Sequence, residues 1–201
     1  MRRVRIIATG AVLSVLPACG VTFNIGGPPT GGPTCPARTE RAPDRLSGPL
    51  ILSAQSVPTA TLVPCLHALP AGWTLHDAAA RRGQASIVLD FGRDNDRAAT
   101  VTLSRTCDVT RATGTATDEP GTSRYERVDD VPAGYRAERY YVFSGGCVRY
   151  EFNLRGATGP EQVSTISRAL GFVDRAVLRR LVHERSHGRF ELDPASDGSP
   201  R

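Results

Sequence analysis

The stretch that most limits what this chain can become runs from position 140 to position 154. Tyr140, Tyr141, Val142 and Phe143 lead into Ser144-Gly145-Gly146, and the chain leaves through Cys147, Val148, Tyr150, Phe152 and Leu154. Arg149, Glu151, Asn153 and Arg155 alternate with that second apolar set. A period of two marks a strand with one buried face. A two-residue Gly-Gly turn suits the twist of a hairpin. The pattern predicts Phe143 opposite Val148 and Tyr141 opposite Tyr150, with Val148, Tyr150, Phe152 and Leu154 on the core. A slip of one residue would expose that whole set, so the register is strongly specified.

The rest of the domain is read around that hairpin. Ile87, Leu89 and Phe91, then Ala99, Val101 and Leu103, alternate in the same way about the turn Gly92-Arg93-Asp94-Asn95-Asp96. Upstream, Leu50-Ile51-Leu52 reads as an edge strand and residues 62–69 as a short helix interrupted at Pro64. Leu69-Pro70-Ala71-Gly72-Trp73 then turns the chain into a strand ending near Ala79. Residues 108–132 read mainly as a long loop, with a turn at Asp118-Glu119-Pro120-Gly121. Two helices close the chain. The first starts at Gly159-Pro160-Glu161, carries Val163, Ile166 and Leu170 at helical spacing, and stops at Gly171. The second is capped by Asp174, has Val177, Leu178, Leu181 and Val182 as its apolar stripe, and ends at Gly188. Strands first and helices last predict an α+β fold, an antiparallel sheet of β-hairpins with helices on one face and two C-terminal helices.

Length bounds the rest: 201 residues, less an N-terminal signal and a tether, leave one domain with a real core. The expected division is signal peptide 1–18, flexible lipid-anchored tether 19–47, single domain 48–192 and loose tail 193–201. Gly-Gly-Pro-Pro-Thr-Gly-Gly-Pro at 26–33 carries too little apolar surface to order itself. The formal charge of +5 overstates the domain. Three of the 25 basic residues precede Ala18, where there is no acid, which leaves 22 basic against 20 acidic residues. That balance is no footprint for nucleic acid. Every basic residue is arginine, as in high-GC actinobacterial chains, so lysine-dependent chemistry is excluded.

Four cysteines remain beyond Cys19, namely Cys35, Cys65, Cys107 and Cys147, with no CxxC among them. An even set in an exported chain implies two disulfides with three possible connectivities. The expected pairs are Cys107–Cys147 inside the domain and Cys35–Cys65 tying the linker down.

The N-terminus sets the address. Arg2, Arg3 and Arg5 precede an apolar run from Ile6 to Leu16, too short to span a bilayer, which takes about 20 residues. Leu16-Pro17-Ala18-Cys19 resembles the lipobox of bacterial lipoproteins. The resemblance implies a lipid (palmitate-type acyl) attachment at Cys19 and an extracytoplasmic domain on the outer face of the cell membrane. Leu-Pro-Ala-Gly-Trp at 69–73 is similar to a stretch in several uncharacterised actinobacterial lipoproteins.

One motif carries a mechanism. His183-Glu184-Arg185-Ser186-His187 is an HExxH, which on a helix sets two histidines one turn apart to bind zinc. With Asp193 six residues on, it resembles the snapalysin-type zinc peptidases. That resemblance implies His183, His187 and Asp193 as metal ligands and Glu184 as general base. Phe190 stands where that family has a glycine, and the only methionine is Met1, so its Met-turn is missing. The competing reading is a solvated helix face, because the two histidines fall with Arg179 and Arg180 opposite the apolar stripe.

The second candidate site is the outward face of the hairpin. The predicted register turns Tyr140 outward beside Val142, Arg149 and Glu151, a contact patch on an uncovered sheet. The expected function is therefore a membrane-anchored, non-catalytic binding or envelope-associated lipoprotein without a cofactor. Its partners would be the membrane, through the lipid, and an envelope protein or cell-wall ligand. The alternative is a small zinc metallopeptidase.

Overall fold

The computed structural model describes residues 31–36, 46–129, 134–156 and 159–193. The lipobox, Cys19 and most of the tether lie outside them. Over these residues the architecture is α+β: a seven-stranded antiparallel sheet, a two-stranded sheet and three helices.

The domain opens with helix α1, Gly48–Ser56, where a strand was expected at Leu50-Ile51-Leu52. Three consecutive apolar residues carry no period of their own. The caps decide the matter: Ser47 Oγ accepts from the Leu50 amide, and Pro49 sits in the first turn. Leu50 and Ala54 are buried, while Leu52 points outward. Next comes β1, Leu62–Leu66, where a helix was expected. It pairs antiparallel with β9, Leu170–Asp174. Strand amides alternate in direction, so Pro64 shares the side of Leu66, which bonds to Pro33 and Cys35 rather than to β9. No bond to β9 is lost to the missing N–H.

The large sheet runs β2-β3-β4-β8-β7-β6-β5. Its strands are β2 Trp73–Arg81, β3 Gln84–Phe91, β4 Asn95–Ser104, β5 Thr113–Thr115, β6 Ser123–Asp129, β7 Gly134–Phe143 and β8 Gly146–Arg155. The β3–β4 hairpin follows the expected alternation, with Ile87 opposite Val101 and Leu89 opposite Ala99. The β7–β8 hairpin keeps its faces but not its register. Phe143 lies opposite Gly146, Tyr141 opposite Val148 and Tyr140 opposite Arg149. The turn is therefore Ser144-Gly145. Gly145 has φ 70° and lies on the Thr59 carbonyl, where a Cβ would come within 1.9 Å of the oxygen. Gly146 is spent on space inside the strand, pressed by Phe143 and Ala60.

Strands β5 and β6 correct the long loop expected over 108–132. Strand β6 carries no apolar alternation because charges do its pairing. Glu126 lies opposite Arg139 and Arg127 opposite Glu138.

At the C-terminus α2, Gly159–Ser167, is shorter than expected, because Leu170, Gly171, Phe172 and Val173 leave it to form β9. Helix α3, Arg175–Arg185, starts at the predicted cap: Asp174 Oδ1 accepts from the amides of Ala176 (2.7 Å) and Val177 (3.1 Å). The expected pair of C-terminal helices is thus split by a strand, and a third helix opens the domain.

One face of the large sheet carries Ile87, Leu89, Val101, Leu103, Val148, Tyr150 and Phe152, all buried against α1, α2, α3 and the small sheet. Phe172 of β9 seats edge-on against Tyr141 and Phe143. Both expected disulfides are present, Cys35–Cys65 and Cys107–Cys147, with Cα separations of 4.9 and 5.9 Å. The first docks residues 31–36, which composition assigns to the tether. The Cys35 amide donates to the Leu66 carbonyl, and Gly32 and Pro33 are buried. Two structural cystines place the folded domain in an oxidising, non-cytoplasmic environment. Among the described residues no helix is long and apolar enough to cross a membrane.

Candidate binding pocket on the outer face of the sheet

Strand alternation sends a polar set to the second face of the sheet. Thr102 and Ser104 come from β4, Arg149 and Glu151 from β8, Glu138 and Tyr140 from β7, and Arg127 from β6. The chain leaves β4 at Ser104 and folds back across this face as residues 105–112. Two features hold that roof. Cys147 lies opposite Ser104 in the ladder, so the Cys107–Cys147 bond staples the loop to the sheet. Asp108 Oδ1 accepts from the Thr110 amide (3.0 Å) and hydroxyl (2.7 Å), which fixes the loop's tip. Those bonds hold the Asp108 carboxyl below its ordinary range.

Between roof and sheet is a pocket of about 460 Å³, lined mainly by polar groups. Glu138 is its electrostatic centre. Its Oε2 accepts from the Tyr140 hydroxyl (2.7 Å) and stands 3.2 Å from Arg127 Nη2, while Oε1 is 3.9 Å from Arg149 Nη1. Each arginine has a further carboxylate: Arg149 Nη2 donates to Glu151 at 2.8 Å, and Arg127 Nη2 donates to Asp129 at 3.4 Å. Burial, together with Glu138, pushes the Tyr140 phenol up, so it stays a neutral donor. The charge of Glu138, aided by Asp129, raises the Arg127 guanidinium in turn.

Two lining residues carry polar groups without partners. Thr102 is 7 % exposed, and its hydroxyl makes no hydrogen bond among the described residues. Arg127 Nε is buried and makes none either, although Asp129 Oδ1 lies 3.3 Å away. A buried donor is almost always satisfied, so Arg127 Nε on the wall of a cavity marks where a ligand or water bonds.

The sequence-predicted contact patch is corrected here. Tyr140 does face outward, but it is 6 % exposed and lies within the wall beneath the 105–112 loop. Arg149 and Glu151 are half-exposed and bind one another. The flat, open face expected around Tyr140 and Val142 is therefore a roofed pocket. Thr102, Arg127, Glu138 and the roof itself were not read from the sequence. Alternation on β4 offers Thr102 only as one more outward residue. The usable signal was the Cys107–Cys147 pairing, which requires the chain after β4 to return over the sheet.

A larger hollow, about 1430 Å³, lies on the opposite side between α2, β9, α3 and the β6–β7 edge. The polar groups of Arg124, Arg139, Ser167 and Asp118 on its wall are committed to each other or to Glu126 and Tyr141. Glu126 accepts from Arg124 and Arg139, Arg139 Nη1 donates to Ser167, and the Tyr141 hydroxyl donates to Asp118. Burial opposes ionisation of Glu126, but the two guanidinium groups outweigh it and hold the carboxyl low. Burial also pushes the Tyr141 phenol up to about 12.

The HExxH residues are not assembled into a centre. Helix α3 ends at Arg185, so His183 is on the helix while His187 lies beyond it in a left-handed conformation, φ 53°. The i, i+4 geometry that a zinc helix needs is broken between them. His183, Glu184 and His187 are exposed, and the Asp193 carbonyl is taken by Arg175 Nε at 3.1 Å. Among the described residues no group of three His, Cys, Asp or Glu side chains is placed to hold a metal.

No protein-family profile matches the chain, and no curated protein does. A solved crystal structure of a protein from Bacteroides thetaiotaomicron VPI-5482 is similar over 60 % of this chain, at 10 % identity and a TM-score of 0.29. This chain spans about half of that one, 48 % of its length, and a likeness so slight carries no argument about fold or function.

Proposed function

We propose that this protein is an extracytoplasmic lipoprotein, held to the outer face of the membrane by acylation of Cys19, whose domain binds a small ligand in the pocket beneath residues 105–112. The observation that carries the binding reading is the buried Arg127 Nε, without a hydrogen-bond partner, on the wall of a roofed cavity of about 460 Å³ that the Thr102 hydroxyl also lines. That volume falls within the range of small-molecule sites, roughly 300–1,000 Å³. The lipobox residues and an oxidised domain whose described residues begin at Gly31 support the anchored reading.

The test is a ligand-observed NMR screen of polar fragments against the full chain in detergent, paired with Ala112→Trp. Ala112 lines the pocket from the roof, outside any strand, so the indole fills the cavity without disturbing the sheet. Fragments that bind the parent chain and lose their signal with the variant support the pocket. A set of binders indifferent to the indole sinks it.

A further inference from the structure

We infer that the ligand of this pocket is a saccharide; the inference rests on the pocket being the binding site. The argument is one of charge and of hydrogen-bond type. Arg111, Arg127 and Arg149 line the cavity together with Asp108 and Glu138. Arg127 and Arg149 are each answered by Glu138 and by a further carboxylate, Asp129 and Glu151, and Arg111 acts on Asp108, so neither an anion nor a cation finds an unanswered countercharge. Glu138 already has Tyr140, Arg127 and Arg149 around it, so it has little left for the ammonium of an amino acid. A neutral ligand meets neither penalty.

The wall nevertheless offers both kinds of hydrogen-bonding group. Arg127 Nε is a donor without a hydrogen-bond partner and the Thr102 hydroxyl can donate or accept, while the hydroxyls of Ser104 and Thr110, whose protons go to the Thr106 carbonyl and to Asp108, are acceptors, as is Asp108 through its second oxygen. A saccharide hydroxyl also does either, donating once and accepting twice. Forks of fixed, mutually paired Arg and Glu groups therefore suit neighbouring hydroxyls on a ring without any change in net charge. The accessible edge of Tyr140 and the side chain of Cys107 give the lining its apolar part, which meets the C–H groups of a sugar.

The test titrates the full chain, in a detergent without a sugar headgroup, by calorimetry with glucose, N-acetylglucosamine, glycine and inorganic phosphate. At least one sugar should bind, with an affinity that hardly changes between about 0.05 and 0.5 M salt, since no net charge is screened. Thr102→Val, which keeps the side-chain shape and removes the hydroxyl, should weaken that binding roughly three- to tenfold, the effect of one neutral hydrogen bond. Ala112→Trp should abolish it. A sugar that binds both variants as tightly as the parent chain lies elsewhere and overturns the inference. Phosphate or glycine binding, lost in Ala112→Trp while neither sugar binds, overturns the saccharide and leaves the pocket standing. If none of the four probes binds, the saccharide is again overturned, and the fragment screen with Ala112→Trp decides the pocket on its own.

Discussion

Arg175 shows how much a single side chain can do without any signal in the sequence. It is the first residue of α3, and at 2 % exposure it is as buried as the core leucines. No carboxylate pairs with it among the described residues. Nη1 donates to the Ala54 carbonyl at 2.7 Å near the C-terminal end of α1, Nε donates to the Asp193 carbonyl, and Nη2 has no partner. The cation thus satisfies one carbonyl that α1 leaves open, at the negative end of its dipole. Arg175→Ala removes both bonds and leaves a void, so it should destabilise the domain by about 2–4 kcal/mol in urea unfolding. Glu126 makes the opposite case, that of a charge fully answered. Its carboxyl is depressed, so the stability it contributes is complete above the unfolded value of 4.5 and is lost as pH falls through the lower folded value. Glu126→Gln should therefore flatten the drop in Tm below about pH 4.5 while lowering Tm at neutral pH. An unchanged acid limb in the variant would mean that other carboxylates govern it.

Among the elements, the two disulfides have similar closures, 30 and 40 residues, and the chain-entropy argument gives each about 3–4 kcal/mol. Their functional weight differs. Cys107→Ser with Cys147→Ser frees the roof of the pocket, whereas Cys35→Ser with Cys65→Ser frees only residues 31–36 from β1. Both double variants should lose comparable stability in denaturant, and only the first should lose ligand binding. Equal losses of binding would show that the roof is held by something other than its cystine. Legibility also divides at this scale. The alternation of β3, β4, β7 and β8 could be read because each has one apolar face. A slide of two residues in the last hairpin left those faces intact, since the side-chain period is two. Strand β6 was illegible because arginine–glutamate pairs replaced its apolar face. Helix α1 and β1 were misread because short apolar runs suit either state until caps and partners choose. The site was half legible: the face of Tyr140 and Arg149 was right, but its exposure depended on the route of residues 105–112, which no local pattern encodes.

For the molecule as a whole, the question is how an oxidised domain is held where it works. The described residues offer no helix long and apolar enough to cross a membrane, and the Thr34–Leu66 bridge and Cys35–Cys65 hold residues 31–36 against β1. Because that segment is stapled to β1, an anchor at Cys19 would hold the domain on a short leash of about a dozen residues, roughly 20 Å in r.m.s. reach if they are flexible. A single acyl chain binds membranes only marginally, so stable attachment through Cys19 requires the two or more chains of a mature lipoprotein. The wild-type chain, expressed in an exporting actinobacterial host, should incorporate labelled palmitate, sediment with membranes and be digested by protease added to intact protoplasts. Cys19→Ser should take up no label. Wild-type chain that stays unlabelled in the aqueous fraction removes the anchor, and the pocket would then have to serve a freely secreted domain.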